Sequence, residues 1–313
     1  MPKLTMLARS TAVLAAALAC TSAHALLFRA YLASDGSDGN PCTLVAPCRL
    51  LPAALAAVAN QGEIWMLDSA NYNTSTVNID KSVSILAVPG AVGSIVATGG
   101  PAIQIETPGI AVALRNVVIV PLYLTGTTTG THGVALNAAS TLVVEHSLIA
   151  NLPGVAVLSD FGGARVRIVN SILRGNGSFA LVLRNGVHGE VASTQMLGNA
   201  AGISAYGTTA SVTTITVSDS VISGGSEGVF AHSTAPAGVT KVTVTRSSIS
   251  NTTFPLRAGG YGAATVISVN GCTVAGNTYA WLVEDGIIRT MGNNQFTDNT
   301  NPGVGSLTPT ALQ

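Results

Sequence analysis

The chain has 313 residues, with 14 basic and 14 acidic side chains, and only 9% of it is charged, against roughly 25% in ordinary domains. That balance leaves no overall basic field to hold nucleic acid or an anionic membrane. Its 34 glycines and 47% hydrophobic residues, with aromatics at 4%, suit many short strands joined by tight turns around an elongated core.

Lys3 and Arg9 open the chain, an uncharged run from Ser10 to Ala19 follows, and Ala23-His24-Ala25 supplies the small residues that a signal peptidase reads. The run is shorter than the roughly 18–20 apolar residues that span a membrane. Residues 1–25 are therefore expected to be a signal peptide cleaved after Ala25, and the mature chain to be exported to the periplasm, cell surface or exterior. Leu18-Ala19-Cys20 partly matches a lipidation site, although Ala17 stands where a larger aliphatic residue is usual. Gly, Ser, Thr or Asn interrupts every later apolar segment, so no transmembrane span is expected.

Residues 26–61 are expected to form an N-terminal strand, a disulfide loop and a capping helix. Cys42 and Cys48 enclose a short loop around Pro47, and an oxidising compartment would pair them; the chain-entropy model assigns such a loop ~2–3 kcal/mol. Residues 50–59 make the one good helix, whose apolar bulk would plug the open first coil of the repeats downstream. Asp35 to Asn40 is spaced like a calcium loop, but Ala46 occupies the position where such a loop places Glu, which favours a Gly/Asp turn.

From residue 62 to 300 the sequence repeats. Residues 63–67, 77–79, 83–86 and 103–105 read as the strands of the first coils, and residues 123–131, rich in Thr and Gly, as an insertion loop. Seven units, starting at Leu142, Val166, Gly189, Ile215, Val242, Ile267 and Arg289, then align without gaps, about 22–27 residues apart. One column reads Val144, Ile168, Val191, Val217, Val244, Val269 and Met291; another reads Ile149, Leu173, Met196, Ile222, Ile249, Val274 and Phe296. Alternation sends both to one face of short strands, and a polar pair between them, such as Glu145-His146 or Thr245-Arg246, makes a corner. A further strand gives an inward column of Val155, Leu181, Ile203, Val229, Leu256 and Trp281, preceded by Asn176, Asn199, Gly225, Asn251 and Asn277. Three strands per coil, with one column per position, means that each coil stacks on the last at ~4.8 Å. The expected fold is all-β: a single right-handed parallel β-helix of about nine coils, capped by the N-terminal helix and followed by a tail over residues 301–313.

The stretch from Tyr31 to Asn40, the helix, Gly62-Glu-Ile-Trp-Met-Leu67 and Val77 to Leu86 together resemble the start of exported bacterial β-helix proteins of the pectin-lyase-like superfamily. The resemblance covers most of residues 29–300. It implies polysaccharide binding or cleavage, although fold alone does not fix function. Lyases of that superfamily use clustered Asp for calcium with an Arg or Lys base, and its hydrolases carry Asn-Thr-Asp, Gly-His-Gly and Arg-Ile-Lys signatures. None of these signatures occurs in the chain, and no two acids fall in adjacent coils at one column.

Other motifs read as structure. Gly224-Gly-Ser226-Glu-Gly228 matches a nucleophile elbow, but Ser226 precedes a strand where that mechanism needs a helix. Cys272 shares a column with Ser147, Ser171, Thr194, Ser220, Ser247 and Asn294, which marks it as a buried small residue. His146 beside Asn170 reads as a surface turn. The ligand-binding candidates are Arg184, Tyr206 and His232, which recur at one position in successive coils, with Arg257 and Glu284 nearby. No catalytic set, metal site or cofactor motif is assigned. The expectation is an exported binding or structural module that contacts polysaccharide or cell-surface material. The alternative is a polysaccharide lyase or glycoside hydrolase with an atypical site.

Overall fold

The computed structural model describes residues 26–124, 127–208 and 210–310, so the expected signal peptide and Cys20 lie outside the described residues. The alternating stretches form three parallel sheets wound around one core. Sheet 1 has 12 strands, from Leu27–Leu32 to Thr308–Pro309; sheet 3 has 9, from Val77–Ile79 to Leu282–Val283; sheet 2 has 11, one of them off the main ladder. Each inner strand of the ladders pairs in parallel with the strand one coil earlier and the strand one coil later. Among the described residues the chain thus completes about nine coils.

The columns are the core. Val144 lies between Leu114 and Ile168, and Val191, Val217, Val244 and Val269 continue the stack, all without solvent contact. Each such side chain contributes roughly 1.5–3 kcal/mol by leaving water. The corner between sheets 1 and 2 turns through one left-handed residue per coil: Asn116, His146, Asn170, Ser193, Asp219, Arg246 and Gly271 have φ between 46° and 62°. Asn and Asp tolerate that region better than most residues, and Gly is free in it. The inward hydroxyls just beyond this corner act as a second ladder. Ser171 Oγ donates to Val169 O (2.9 Å) and accepts from the backbone N–H of Ser147 (3.2 Å), and Ser220 does the same for Ser218 O and Thr194 N–H.

Cys272 occupies this ladder, buried, with Sγ 3.3 Å from Val244 O and 3.5 Å from Asn270 O. A hydroxyl makes both contacts better than a thiol. Cys272→Ser is therefore expected to melt within roughly 2 °C of the parent or above it, while Cys272→Leu should lose ~1–3 kcal/mol by overpacking. Thermal denaturation followed by circular dichroism distinguishes the two; a large loss in the Ser variant would mean the thiol has some other role.

A third ladder satisfies the corner between sheets 2 and 3. Asn176 Nδ2 donates to Asn199 Oδ1 at 2.7 Å, and Asn199 Nδ2 donates to Leu173 O at 2.9 Å. Asn277 and Asn299 repeat the pattern at 2.9 Å and 3.0 Å. Buried backbone groups at these turns thereby find partners that a regular strand ladder would not supply. In this column the residue between Gly225 and Asn277 is Thr252, whose Oγ1 donates to Asn277 Oδ1 at 2.9 Å; Asn251 is the left-handed residue before it, with φ 54°.

At the N-terminus, strand Leu27–Leu32 pairs with Val58–Met66 and joins sheet 1 as its first member. Cys42 and Cys48 are bridged, and the bridged loop bonds the free edge of that strand through Tyr31 N–H to Cys42 O and Cys48 N–H to Tyr31 O. Asp38 Oδ1 accepts the backbone N–H groups of Arg49 and Leu50, so the Gly/Asp turn organises the helix start. The helix spans Leu51–Ala57 and buries Leu51, Ala54 and Leu55 over the first coil. It is shorter than residues 50–59 suggest, because Val58 already pairs as strand and Lys81 Nζ closes the helix end on Leu55 O at 2.9 Å.

Three further details differ from the sequence reading. The expected loop at residues 123–131 contains strand Thr127–Thr129, which folds back antiparallel on Val117–Leu124. In sheet 3, Leu181 pairs with Val157 and not with Val155, two residues of the same parity in one segment. In the last coil Ile267 pairs with Ile288, so Thr290 takes the place expected for Met291, and one extra residue at the corner restores Phe296 to its column beside Val274.

Candidate functional site

Sheet 3 presents its outer face through alternate residues of strands Phe179–Arg184, Ala201–Gly207, Glu227–Ser233 and Phe254–Gly260. Arg184, Tyr206 and His232 are successive partners in the register, followed by Gly259. The Tyr206 and His232 rings stack at 5.0 Å with 27° between their planes, and the Arg184 guanidinium lies 5.9 Å above the Tyr206 ring. Arg257 stands one column over, opposite Phe230, with its guanidinium 4.8 Å from that ring; Phe230 in turn lies 5.5 Å from His232. The four residues singled out in the sequence thus lie on one face, in two adjacent columns.

Arg257 is the hub. Its Nη1 donates to Glu227 Oε1 at 2.5 Å, and its Nη2 and Nε donate to Glu284 at 3.0 and 3.4 Å. Only 11% of the Glu227 side chain meets solvent, so that carboxylate depends on the guanidinium for its partner. Arg184 is likewise engaged, 3.6 Å from Asp160. Burial holds the His232 imidazole below its ordinary range, against the pull of Glu284 and with the push of Arg257, so the ring is neutral at neutral pH. Its Nδ1 is buried with no hydrogen-bond partner among the described residues. Gly259 creates the space beside it: a side chain there would come within 3.1 Å of His232 Nδ1 and 2.7 Å of Glu284 Oε2.

Sequence reasoning does not single out Glu227, Phe230 or Gly259 as site residues. Phe230 leaves a usable signal, because it precedes Arg257 in the same outward column. Glu227 leaves none, since it lies at the very start of its strand and is brought in by the length of Arg257.

The remaining motifs keep to structure. Ser226 Oγ donates to Ala200 O at 3.1 Å and strand Glu227–Ser233 follows, so no elbow forms. His146 turns the corner with φ 50° and reaches Asn170 Nδ2 at 3.4 Å. Among the described residues no three His, Cys, Asp or Glu side chains converge as a metal site would require. No described helix is long and apolar enough to cross a membrane.

A family model described as the right-handed β-helix region matches residues 102–279, more than half of the chain. No curated protein sequence matches. Among solved structures, the pectate lyase Pel9A is similar over 93% of this chain and 79% of its own, at 13% identity and a TM-score of 0.63. A rhamnogalacturonan lyase is similar over 88% of this chain and 86% of its own, at 12% identity and 0.47. The A-module of a mannuronan C-5 epimerase from Azotobacter vinelandii is similar over 80% and 91%, at 12% identity and 0.48. At 13% identity the likeness to the pectate lyase is one of fold.

Proposed function

Because the chain belongs to the right-handed β-helix family, we propose that it is an exported glycan-binding module that holds a neutral, hydroxyl-rich saccharide on the outer face of sheet 3. One observation carries this reading: Arg257 is fixed between Glu227 and Glu284 beside the ring group of Phe230, His232 and Tyr206. Aromatic faces offer apolar area for a sugar ring, and planar polar groups locked by their own hydrogen bonds offer fixed donors and acceptors for hydroxyls. The charge on the face argues against an acidic sugar there. Arg184 and Arg257 are each spent on a carboxylate, which leaves no free cation among the described residues of the strip. The Cys42–Cys48 bridge supports export, since disulfides persist in oxidising compartments.

The test is a titration of neutral and uronate oligosaccharides by calorimetry. Neutral ligands are expected to bind, and Phe230→Ala or Tyr206→Ala to weaken them by ~1–3 kcal/mol without a change in melting. Arg184→Ala should matter less, because its partner Asp160 is itself half-exposed. Binding that survives the triple alanine variant of Tyr206, Phe230 and His232 would place the site elsewhere. Two carboxylates gathered on one guanidinium also favour a second reading, glycoside hydrolysis. New reducing ends that disappear with Glu227→Gln would replace the binding reading with that one.

A further inference from the structure

We propose that the outer face of sheet 1 is a second, separate binding site, which takes a linear polyanion running along the solenoid axis. Arg165, His188, Thr214 and Lys241 are successive partners in one outward column, and Arg289 stands in the neighbouring outward column two coils beyond Lys241. Arg165, Lys241 and Arg289 are exposed, and their side chains form no ion pair or hydrogen bond with any described residue. Most other cations among the described residues are spent: six arginines hold carboxylates, and Lys81 and Arg49 hold backbone carbonyls. Three of the free ones therefore share a single face of a chain that is neutral overall.

Glu190, the only acid in these two columns from Arg165 to Arg289, is paired with Arg167 at 3.3 Å. His188 is held by Thr214, with Nδ1 2.7 Å from Oγ1. In the column of Glu190 the positions before Arg289 are hydroxyls, Thr216, Thr243 and Ser268, while the column of Lys241 continues with Val266 and Ile287. At ~4.8 Å per coil, Arg165 and Lys241 lie ~14 Å apart along the axis, and Arg289 lies ~10 Å further along it, one column to the side. A compact anion would meet one cation at a time, whereas an extended chain with regularly spaced sulfate or carboxylate groups meets all three and lays its hydroxyls over the Thr positions. Single-stranded nucleic acid is disfavoured because it needs aromatic stacking platforms, and the described residues of these columns offer none from Arg165 to Arg289.

The test uses the whole protein with dextran sulfate, polygalacturonate and unsubstituted dextran at about 20 mM salt, where a contact of this kind is least screened. Wild type is expected to bind at least one of the charged polymers and not dextran at this face. The Arg165→Ser/Lys241→Ser variant is expected to bind at least tenfold more weakly, with the slope of log affinity against log salt reduced by about 1–2. The relative strength of the sulfated and carboxylated arms identifies which group the face prefers. Phe230→Ala, on sheet 3, is expected to leave this binding intact, so failure here is distinct from failure of the neutral site. Absence of binding to both charged polymers, or unchanged affinity in the double variant, overturns the proposal; equal affinity for a single-stranded oligonucleotide overturns the assignment to a glycan.

Discussion

Val217→Asp is expected to destroy cooperative folding of the central coils, while Thr245→Asp leaves the melting temperature within a few degrees of the parent. Val217 has no solvent contact and stacks between Val191 and Val244. A carboxylate there loses its hydration and gains no partner, a cost above about 4 kcal/mol. The architecture enlarges the damage. Each coil touches only its neighbours, so a defect in the middle splits the stack and exposes two new ends. Ile288→Asp, equally buried but next to the C-terminal end of sheet 1, should only fray the terminus. Thr245, by contrast, is half-buried on the outward side, and its one weak contact is to Val217 O at 3.4 Å. Circular dichroism melts with limited proteolysis read all three variants. Equal melting of the Val217 and Thr245 variants would contradict the register.

That register is legible because a parallel β-helix repeats its chemistry at fixed positions. Val191, Val217 and Val244 fill the same slot, and the hydroxyl ladder from Ser147 to Ser247 even predicts the surroundings of Cys272. Errors arise where one residue can be traded for another without changing the pattern. Val155 and Val157 have the same parity, so alternation cannot choose between them; pairing with Leu181 does. The last coil carries Gly292, Asn293 and Asn294 at its corner, and counting back from Phe296 without the extra residue shifts the preceding strand by one. The helix reads too long because Val58 and Ala59 satisfy a helical pattern as readily as a strand, and only the pairing of Val58 with Leu27 decides.

The candidate site is less legible, for a different reason. Columns locate a Cβ, and for short side chains that is nearly the whole answer. Arg257 and Glu284 have long side chains, so their partners are set by reach as well as by position. Glu227 is 30 residues from Arg257 in sequence, and the two meet only through the fold. In the sequence Arg184 and Arg257 stand as ligand-binding candidates with no visible partner, because their counter-charges, Asp160 and Glu227, lie outside the column pattern. On sheet 1 the reverse holds: Arg165 and Lys241 are inconspicuous among Thr and Val, and only the pairing of the neighbouring acids shows that they are free.

Arg257→Ala is expected to remove saccharide binding on sheet 3 and to lower stability by about 2–4 kcal/mol, the largest effect of any substitution on that face. The loss comes from the groups the guanidinium leaves behind. Glu227 is 11% exposed and Arg257 supplies its charge partner, so truncation strands a largely desolvated carboxylate. Glu284 is better hydrated, at 38% exposed, and would contribute little to the loss. Phe230 would also lose the group packed over its ring, and His232 would face Glu284 across Gly259 with no guanidinium to position that carboxylate. The double variant Arg257→Ala/Glu227→Gln separates the two consequences. Neutralising Glu227 should restore most of the stability, because an amide costs less to bury than an unpaired carboxylate. It should not restore binding, because neither Phe230 nor Glu284 regains its fixed neighbour. Thermal melts of the single and double variants, beside calorimetric titration with the best neutral ligand, give both readouts. A single variant that melts like the parent would show that Glu227 finds water readily and that Arg257 is not the hub; a double variant that binds like the parent would move the saccharide away from these three side chains.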